Sequence, residues 1–374
     1  MLFCGNTSQG ERLKIALLTE LFYPHMAGCE RRFLEIGKRL ARGGHEVHVF
    51  TLRHSGNLPK EELIEGMLVH RYADSTNYVS PKRFRSFNGV LKYSFATFFR
   101  LLAQDFDVYY SNEWPLLHSL CAKPVASPLV QEWCEVWTNS LKVTLLQKLL
   151  KRLGDYHVAV SEFTKQRLLN FLKFDPEEVS LVPNGVDNSR FYSDPHDKVF
   201  GRIIYVGRIV PHKHVEMLVD AFHRVKEKAS ETELHIVGSG SSLLSIEEKA
   251  SGVNDCFVHG FLPDSRLIDL LKSAWLFILP SEREGSGIAA LESMAAGTPV
   301  ITVNFPNNAT KEMIDGMNGL VVSPKAEAIA EATLALLDDE NRWLKMSNCA
   351  CSFAKEYDWE LIAKKLEDLL RKVA

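Results

Sequence analysis

No run of apolar residues approaches the ~18 that a membrane-crossing helix needs, so an integral membrane protein is not expected. The seven cysteines are odd in number and contain no C-x-x-C pair, which indicates neither a disulfide framework nor a zinc ribbon. A reducing compartment, the cytoplasm, fits such usage. The formal net charge is only −3, so composition selects no polyanion and nucleic acid is not an expected partner, although a local basic patch is still allowed. Residues 1–12 are polar and include an acid, unlike a secretory leader. His212, His214 and His259 lack the spacing of metal ligands on a helix face. Asp105-Phe106-Asp107 stands directly ahead of a strand, where its acids cap an edge more readily than they hold a metal. Gly238-Ser239-Gly240 is not completed to G-x-G-x-x-G and reads as a tight turn.

What is present is an ordinary globular composition, 46% hydrophobic and 24% charged over 374 residues, long enough for two cores at about 150 residues each. Residues 14–21 read as a strand and 29–41 as a helix, with Phe33, Ile36, Gly37 and Leu40 along one buried face. A strand at 47–52 completes a βαβ unit, so a parallel α/β domain is expected. The alternation continues to a turn at Pro183-Asn184-Gly185-Val186-Asp187, and Ser161 is placed to cap a helix over 162–171. Residues 189–198 are polar and aperiodic and are assigned as a linker. A second set of βα units runs from 202 to 337. The divisions are therefore a first domain over 1–188, the linker 189–198, a second domain over 199–357, and a helix over 358–374 that crosses back to the first domain.

The most informative stretch is 280–299. An apolar strand ends at Pro280, a loop carries Gly285, Ser286 and Gly287, and a helix begins at Ile288 and stops at Gly297. A glycine loop feeding a helix N-terminus offers free N–H groups and a positive dipole end to an anion. Glu284 and Glu292 bracket this loop with seven residues between them, and ionised carboxylates are acceptors suited to sugar hydroxyls. Alone, each could equally be a solvated acid, but the strand end and glycines favour a site. Arg208 and Lys213 follow the strand end at Gly207; an exposed loop pair is the plain alternative, and the strand-Gly-Arg order favours phosphate contact.

On these residues the chain resembles the retaining glycosyltransferases of family 4, which have the GT-B fold of two Rossmann-like α/β domains with parallel sheets facing a cleft. Glu284 to Glu292 is similar to that family's E-x7-E signature, Val206-Gly207-Arg208-Ile209-Val210-Pro211-His212-Lys213 to its phosphate loop, and Val182-Pro183-Asn184-Gly185-Val186-Asp187 to its P-N-G-V-D hinge. The resemblance implies transfer of a hexose-type sugar from a UDP- or GDP-sugar to a glycan or lipid-linked acceptor, with no metal and no other cofactor. Arg208 and Lys213 would stabilise the leaving diphosphate, Glu284 would hold sugar hydroxyls and Glu292 the ribose, while Gly28, Gly207, Gly285, Ser286, Gly287 and Ile288 would line the donor. Ala27-Gly28-Cys29-Glu30 stands where the family has G-G-x-E, with one glycine missing. Cys134 occupies a position where many relatives carry histidine, so Glu132, Cys134 and Glu135, or His118, become the acceptor-side candidates. A nucleotide-sugar epimerase or hydrolase and a non-catalytic sugar-nucleotide binder are the competing readings. Residues 81–100 mix five basic residues with aromatics and read either as a solvated helix and loop or as a peripheral contact with the inner membrane face.

Overall fold

The computed structural model describes residues 11–75, 86–136 and 141–374. The start of the polar N-terminal stretch, residues 81–85 of the basic-aromatic segment, and Trp137 lie outside the described residues. In the first half, strands β1 (Lys14–Leu18), β2 (Glu46–Arg53), β3 (Glu61–Ile64), β4 (Met67–Asp74), β5 (Val108–Asn112), β6 (Leu129–Trp133), β7 (Tyr156–Ala159) and β8 (Val179–Leu181) are joined by helices α1 (Gly28–Arg42), α2 (Phe87–Leu101), α3 (Leu117–Ala122), α4 (Leu141–Leu150) and α5 (Glu162–Arg167). In the second half, α6 (Asn188–Phe191) precedes β9 (Arg202–Val206), α7 (Val215–Lys226), β10 (Glu233–Val237), α8 (Leu243–Ala250), β11 (Cys256–Gly260), α9 (Asp264–Ser273), β12 (Leu276–Leu279), β13 (Arg283–Glu284) and α10 (Ile288–Ala295). The chain then continues through β14 (Val300–Val303), β15 (Asn307–Asn308), β16 (Gly319–Val322), α11 (Ala326–Leu337), α12 (Glu340–Lys355) and α13 (Trp359–Val373).

The first sheet has the order β3-β4-β2-β1-β5-β6-β7-β8 and the second β11-β10-β9-β12-β14-β16. Every pairing in both is parallel except β3 with β4. Strands such as β12 are buried along their whole length, as expected of parallel strands covered on both faces by helices. Strand order reverses between β1 and β5 in one sheet and between β9 and β12 in the other. Such switch points open a crevice at the strand carboxyl ends. The two domains turn those crevices toward each other.

The crossings between domains are stitched together. Val186 N donates to Tyr357 O at 2.8 Å and Trp359 N to Val186 O at 3.1 Å, so the outgoing and returning segments pair as a short bridge. Beyond it α13 buries Ile362, Leu366 and Leu370 against Ile15, Leu17, Phe33 and Ile36 of the first domain, and Arg39 of α1 meets Glu360 at 2.8 Å.

Three features depart from the sequence reading. The stretch expected as an aperiodic linker contains α6, whose Asp187 side chain caps Arg190 N at 3.0 Å and which buries Phe191. Helix α12 was not expected, although Trp343, Met346, Ser347, Ala350 and Ala354 form its buried face; its small residues conceal the apolar period. Strand β3 is short and acidic, with Glu61 and Glu62 on an edge, a composition that resembles a loop.

Lys198, at the end of the crossover, donates to Thr298 Oγ1 at 2.7 Å, and burial pushes its ammonium down to about 7 against the opposing pull of Asp197. Between that value and the ~10.4 of an unfolded lysine, the unfolded chain binds more protons, so stability rises with pH. In urea titrations, Lys198→Met is expected to be favoured over the parent most at pH 6. The gain should shrink by about 2–4 kcal/mol by pH 10, and a difference independent of pH would remove the buried-charge account.

Candidate functional site

The loop after β9 is held from below. Gly207 N donates to Val237 O at 3.0 Å and Ile209 N to Ser239 O at 2.9 Å, so Gly238-Ser239-Gly240 is a brace for this loop rather than an isolated turn. Tyr205 Oη donates to Arg208 O at 2.9 Å, fixing the backbone while the Arg208 side chain stays exposed. The chain then turns through Pro211, His212 and Lys213, and Lys213 Nζ donates to Glu284 Oε1 at 2.5 Å. His212 is pushed down to about 4, first by burial and then by the charges of Arg283, Lys213 and Arg208. Glu284 opposes those three cations, and burial is the main cause of the shift. Arg283, which sequence reading left out of the site, is one of the three.

The second loop, after β12, is built by close approach. A Cβ on Gly285 would lie 2.4 Å from the carbonyl oxygen of Cys134 in the opposite domain, so only glycine lets the two backbones meet. Ser161 Oγ donates to Gly285 O at 2.8 Å and Asn184 Nδ2 to Ser286 Oγ at 2.5 Å, both across the cleft. Gly287 has φ of +71° at the N-cap of α10, a left-handed conformation that glycine adopts without cost. Ile288 Cδ1 lies 3.3 Å from where a Gly28 Cβ would be, so the N-termini of α1 and α10 meet.

Glu292, one turn into α10, is buried and accepts from Arg31 Nη1 of α1 at 2.5 Å. Burial raises its carboxyl above the ordinary range and Arg31 pulls it back. Arg31 was absent from the sequence-level candidates. Its signal was available: arginine in the first turn of a helix opposes the dipole and calls for a nearby acid. Glu30 turns back to accept from Ala27 N at 3.2 Å and closes the helix start.

On the acceptor side the sequence-level candidates separate. Glu132 is fully buried; its Oε2 accepts from Arg32 Nε at 2.6 Å and from the Tyr110 hydroxyl. Glu135 forms a 2.9 Å ion pair with Arg283 across the cleft, and burial raises its carboxyl while Arg283, Lys213 and Arg208 oppose that shift. Cys134 sits partly exposed between them. His118 is buried beneath Tyr93 with Nε2 2.8 Å from Ser111 Oγ, so it does not stand in for Cys134. Asp107 caps the first strand, accepting from Lys14 N at 2.6 Å.

Two family models match the chain: "Glycosyltransferase Family 4" over residues 26–190 and "Glycosyl transferases group 1" over residues 193–353. An uncharacterized glycosyltransferase of Methanocaldococcus jannaschii is 26% identical over 94% of this chain and 96% of its own length. The phosphatidyl-myo-inositol mannosyltransferase of Mycobacterium tuberculosis is 27% identical over 72% of this chain and 75% of its own. The HepE protein of Anabaena, solved in complex with UDP-glucose, superposes with a TM-score of 0.78 at 17% identity, over 96% of this chain and 100% of that one.

Adding one methyl group at the interdomain contact tests this geometry. Gly285→Ala is expected to cost the closed arrangement about 1–3 kcal/mol and to increase the radius of gyration in solution scattering; an unchanged radius would show that the Cys134 contact does not hold the domains together.

Proposed function

The chain belongs to glycosyltransferase family 4 and is a GT-B glycosyltransferase, and from that premise we propose that it transfers a hexose-type sugar from a UDP- or GDP-sugar, with retention and without a metal, to a glycan or lipid-linked acceptor. The observation that carries this reading is the meeting of Lys213 with Glu284 at 2.5 Å and of Arg283 with Glu135 at 2.9 Å beside the glycine loop that opens α10, a cluster of cations and carboxylates at the interdomain cleft. A diphosphate placed there competes with Glu284 for Lys213, and Glu284 is then released to accept from sugar hydroxyls. Glu292, already facing Arg31, is placed to accept from ribose hydroxyls. Gly28, Gly207, Gly285, Ser286, Gly287 and Ile288 supply the surfaces against which the donor lies. Glu135, Cys134 and Glu132, whose Oε1 accepts from the Cys134 thiol, flank the acceptor side.

In the proposed reaction the anomeric C–O bond to the diphosphate breaks, and its electrons go to a phosphate oxygen held by Arg208 and Lys213. That oxygen takes the proton of the acceptor hydroxyl, whose oxygen bonds to the anomeric carbon from the same face. Charge on the departing group is met by fixed cations that need no reorganisation, which is why a divalent ion is not required. The UDP-glucose complex of HepE supports a uridine donor, and the phosphatidyl-myo-inositol mannosyltransferase supports a lipid-linked acceptor.

Among the described residues no helix is long and apolar enough to cross a membrane. A peripheral contact is nonetheless part of the proposal, because α2 and its end expose Phe87, Phe95, Phe99 and Leu102, and α4 exposes Leu141, Leu145 and Leu146. The inner membrane face is the surface proposed for it, reached from the cytoplasm.

Arg208→Ala is expected to lower kcat by about 100- to 1,000-fold, the ~2.7–4 kcal/mol of a lost charge stabiliser, and unchanged turnover would exclude its phosphate role. In thermal-shift titrations with UDP, GDP and ADP, the cognate nucleotide at 100 times its Kd should stabilise by about 2.7 kcal/mol. Glu292→Ala should reduce that shift. Incubation of donor alone should give little free sugar and no epimer, whereas rapid release would assign a hydrolase or an epimerase. Flotation with anionic liposomes should recover protein at low salt and less at high salt.

A further inference from the structure

Cys29 lies in the first turn of α1 and Cys134 follows the end of β6. Together with Glu132 they bring two sulfurs and a carboxylate oxygen within 4.8 Å of one another. Among the described residues no second group of three His, Cys, Asp or Glu side chains comes this close. Cys134 Sγ is 3.6 Å from Glu132 Oε1. Sulfur and oxygen ligands of a tetrahedral zinc ion, with bonds of ~2.3 and ~2.0 Å, stand about 3.5 Å apart, so this edge already has the required length.

The carboxylate is also oriented for the task. Arg32 Nε at 2.6 Å and the Tyr110 hydroxyl hold Oε2, which leaves Oε1 turned toward the sulfurs. Asn112 Nδ2 lies 3.5 Å from Cys29 Sγ, an outer donor of the kind that steadies a metal-bound thiolate. Two thiolates and one carboxylate, with the charge of Arg32 beside them, are balanced by one divalent cation. Paired sulfur selects a borderline-soft ion over Mg²⁺ or Ca²⁺. Both cysteines are half-buried.

We propose that Cys29, Cys134 and Glu132 form a binding site for a zinc-class divalent cation, with water in the fourth position. Binding replaces the two S–H protons, which are released to solvent, and involves no change of oxidation state. The ion takes no part in the Arg208 and Lys213 chemistry, and Cys134 and Glu132, placed above on the acceptor side, hold it there rather than contacting the acceptor themselves. An ion held there ties the start of α1 to the strand end whose Cys134 carbonyl abuts Gly285.

The test uses the full chain freed of metal by chelation and dialysis, titrated with Co²⁺ and then with Zn²⁺. Co²⁺ is expected to give an intense near-ultraviolet sulfur-to-cobalt band together with visible bands of tetrahedral strength, and Zn²⁺ to abolish both. Cys29→Ser and Cys134→Ser should each weaken binding by about 100-fold or more, given that losing even an outer-shell partner costs 10–100-fold. Cys121→Ser should leave binding unchanged. Zn²⁺ should raise the Tm of the parent and not of the two site variants, whose circular dichroism and melts without metal establish that they fold. Cobalt binding without the sulfur band, undiminished affinity in Cys29→Ser, or a spontaneous disulfide joining the pair would each overturn the proposal.

Discussion

The buried ion pair of Arg32 with Glu132 is the constraint on which the cleft depends. Arg32 is completely buried, and a buried guanidinium is tolerable only when its donors are paired. Here Nε meets Glu132 at 2.6 Å, Nη1 meets Pro183 O at 2.6 Å and Asn184 Oδ1 at 3.2 Å, and Nη2 meets Val182 O at 2.9 Å. One side chain thereby joins α1, β6 and the turn leading to the second domain. Its neighbour Arg31 points the other way and crosses the cleft to Glu292. The two adjacent arginines divide the work: one fixes the helix in its domain, and the other presents that helix to the opposite domain.

The cleft is consequently full of charge already in partnership. Lys213 holds Glu284, Arg31 holds Glu292 and Arg283 holds Glu135. A ligand entering such a site exchanges one set of ionic contacts for another rather than paying to strip water from bare charges. Binding energy under these terms depends on geometry, and geometry is set by the backbone approaches at Gly285 and Gly28.

Much of this was legible in the chain. Period and punctuation located the strand, glycine loop and helix of 280–299, because each is a local property of a few residues. The acids Glu284 and Glu292 and the cations Arg208 and Lys213 stood out for their spacing from strand ends. What was not legible is pairwise and distant: Arg31 and Glu292 are separated by 261 residues and Arg32 and Glu132 by 100. No local pattern encodes which acid a given arginine will meet. Glu132 shows the effect most plainly, since a glutamate beside a functional loop gives no sign that one of its oxygens is committed to a buried arginine. Helix α12 escaped for the opposite reason, because serine and alanine at its packing positions carry little apolar signal.

The returning helix α13 also bears on how the protein comes to be folded. Its Ile362, Leu366 and Leu370 share a core with β1 and α1, elements that precede the whole second domain in the chain. During synthesis that core remains unsealed until the second domain, which lies between them in the chain, has been translated. The apolar face that receives α13 therefore lacks that cover until the second domain has been translated.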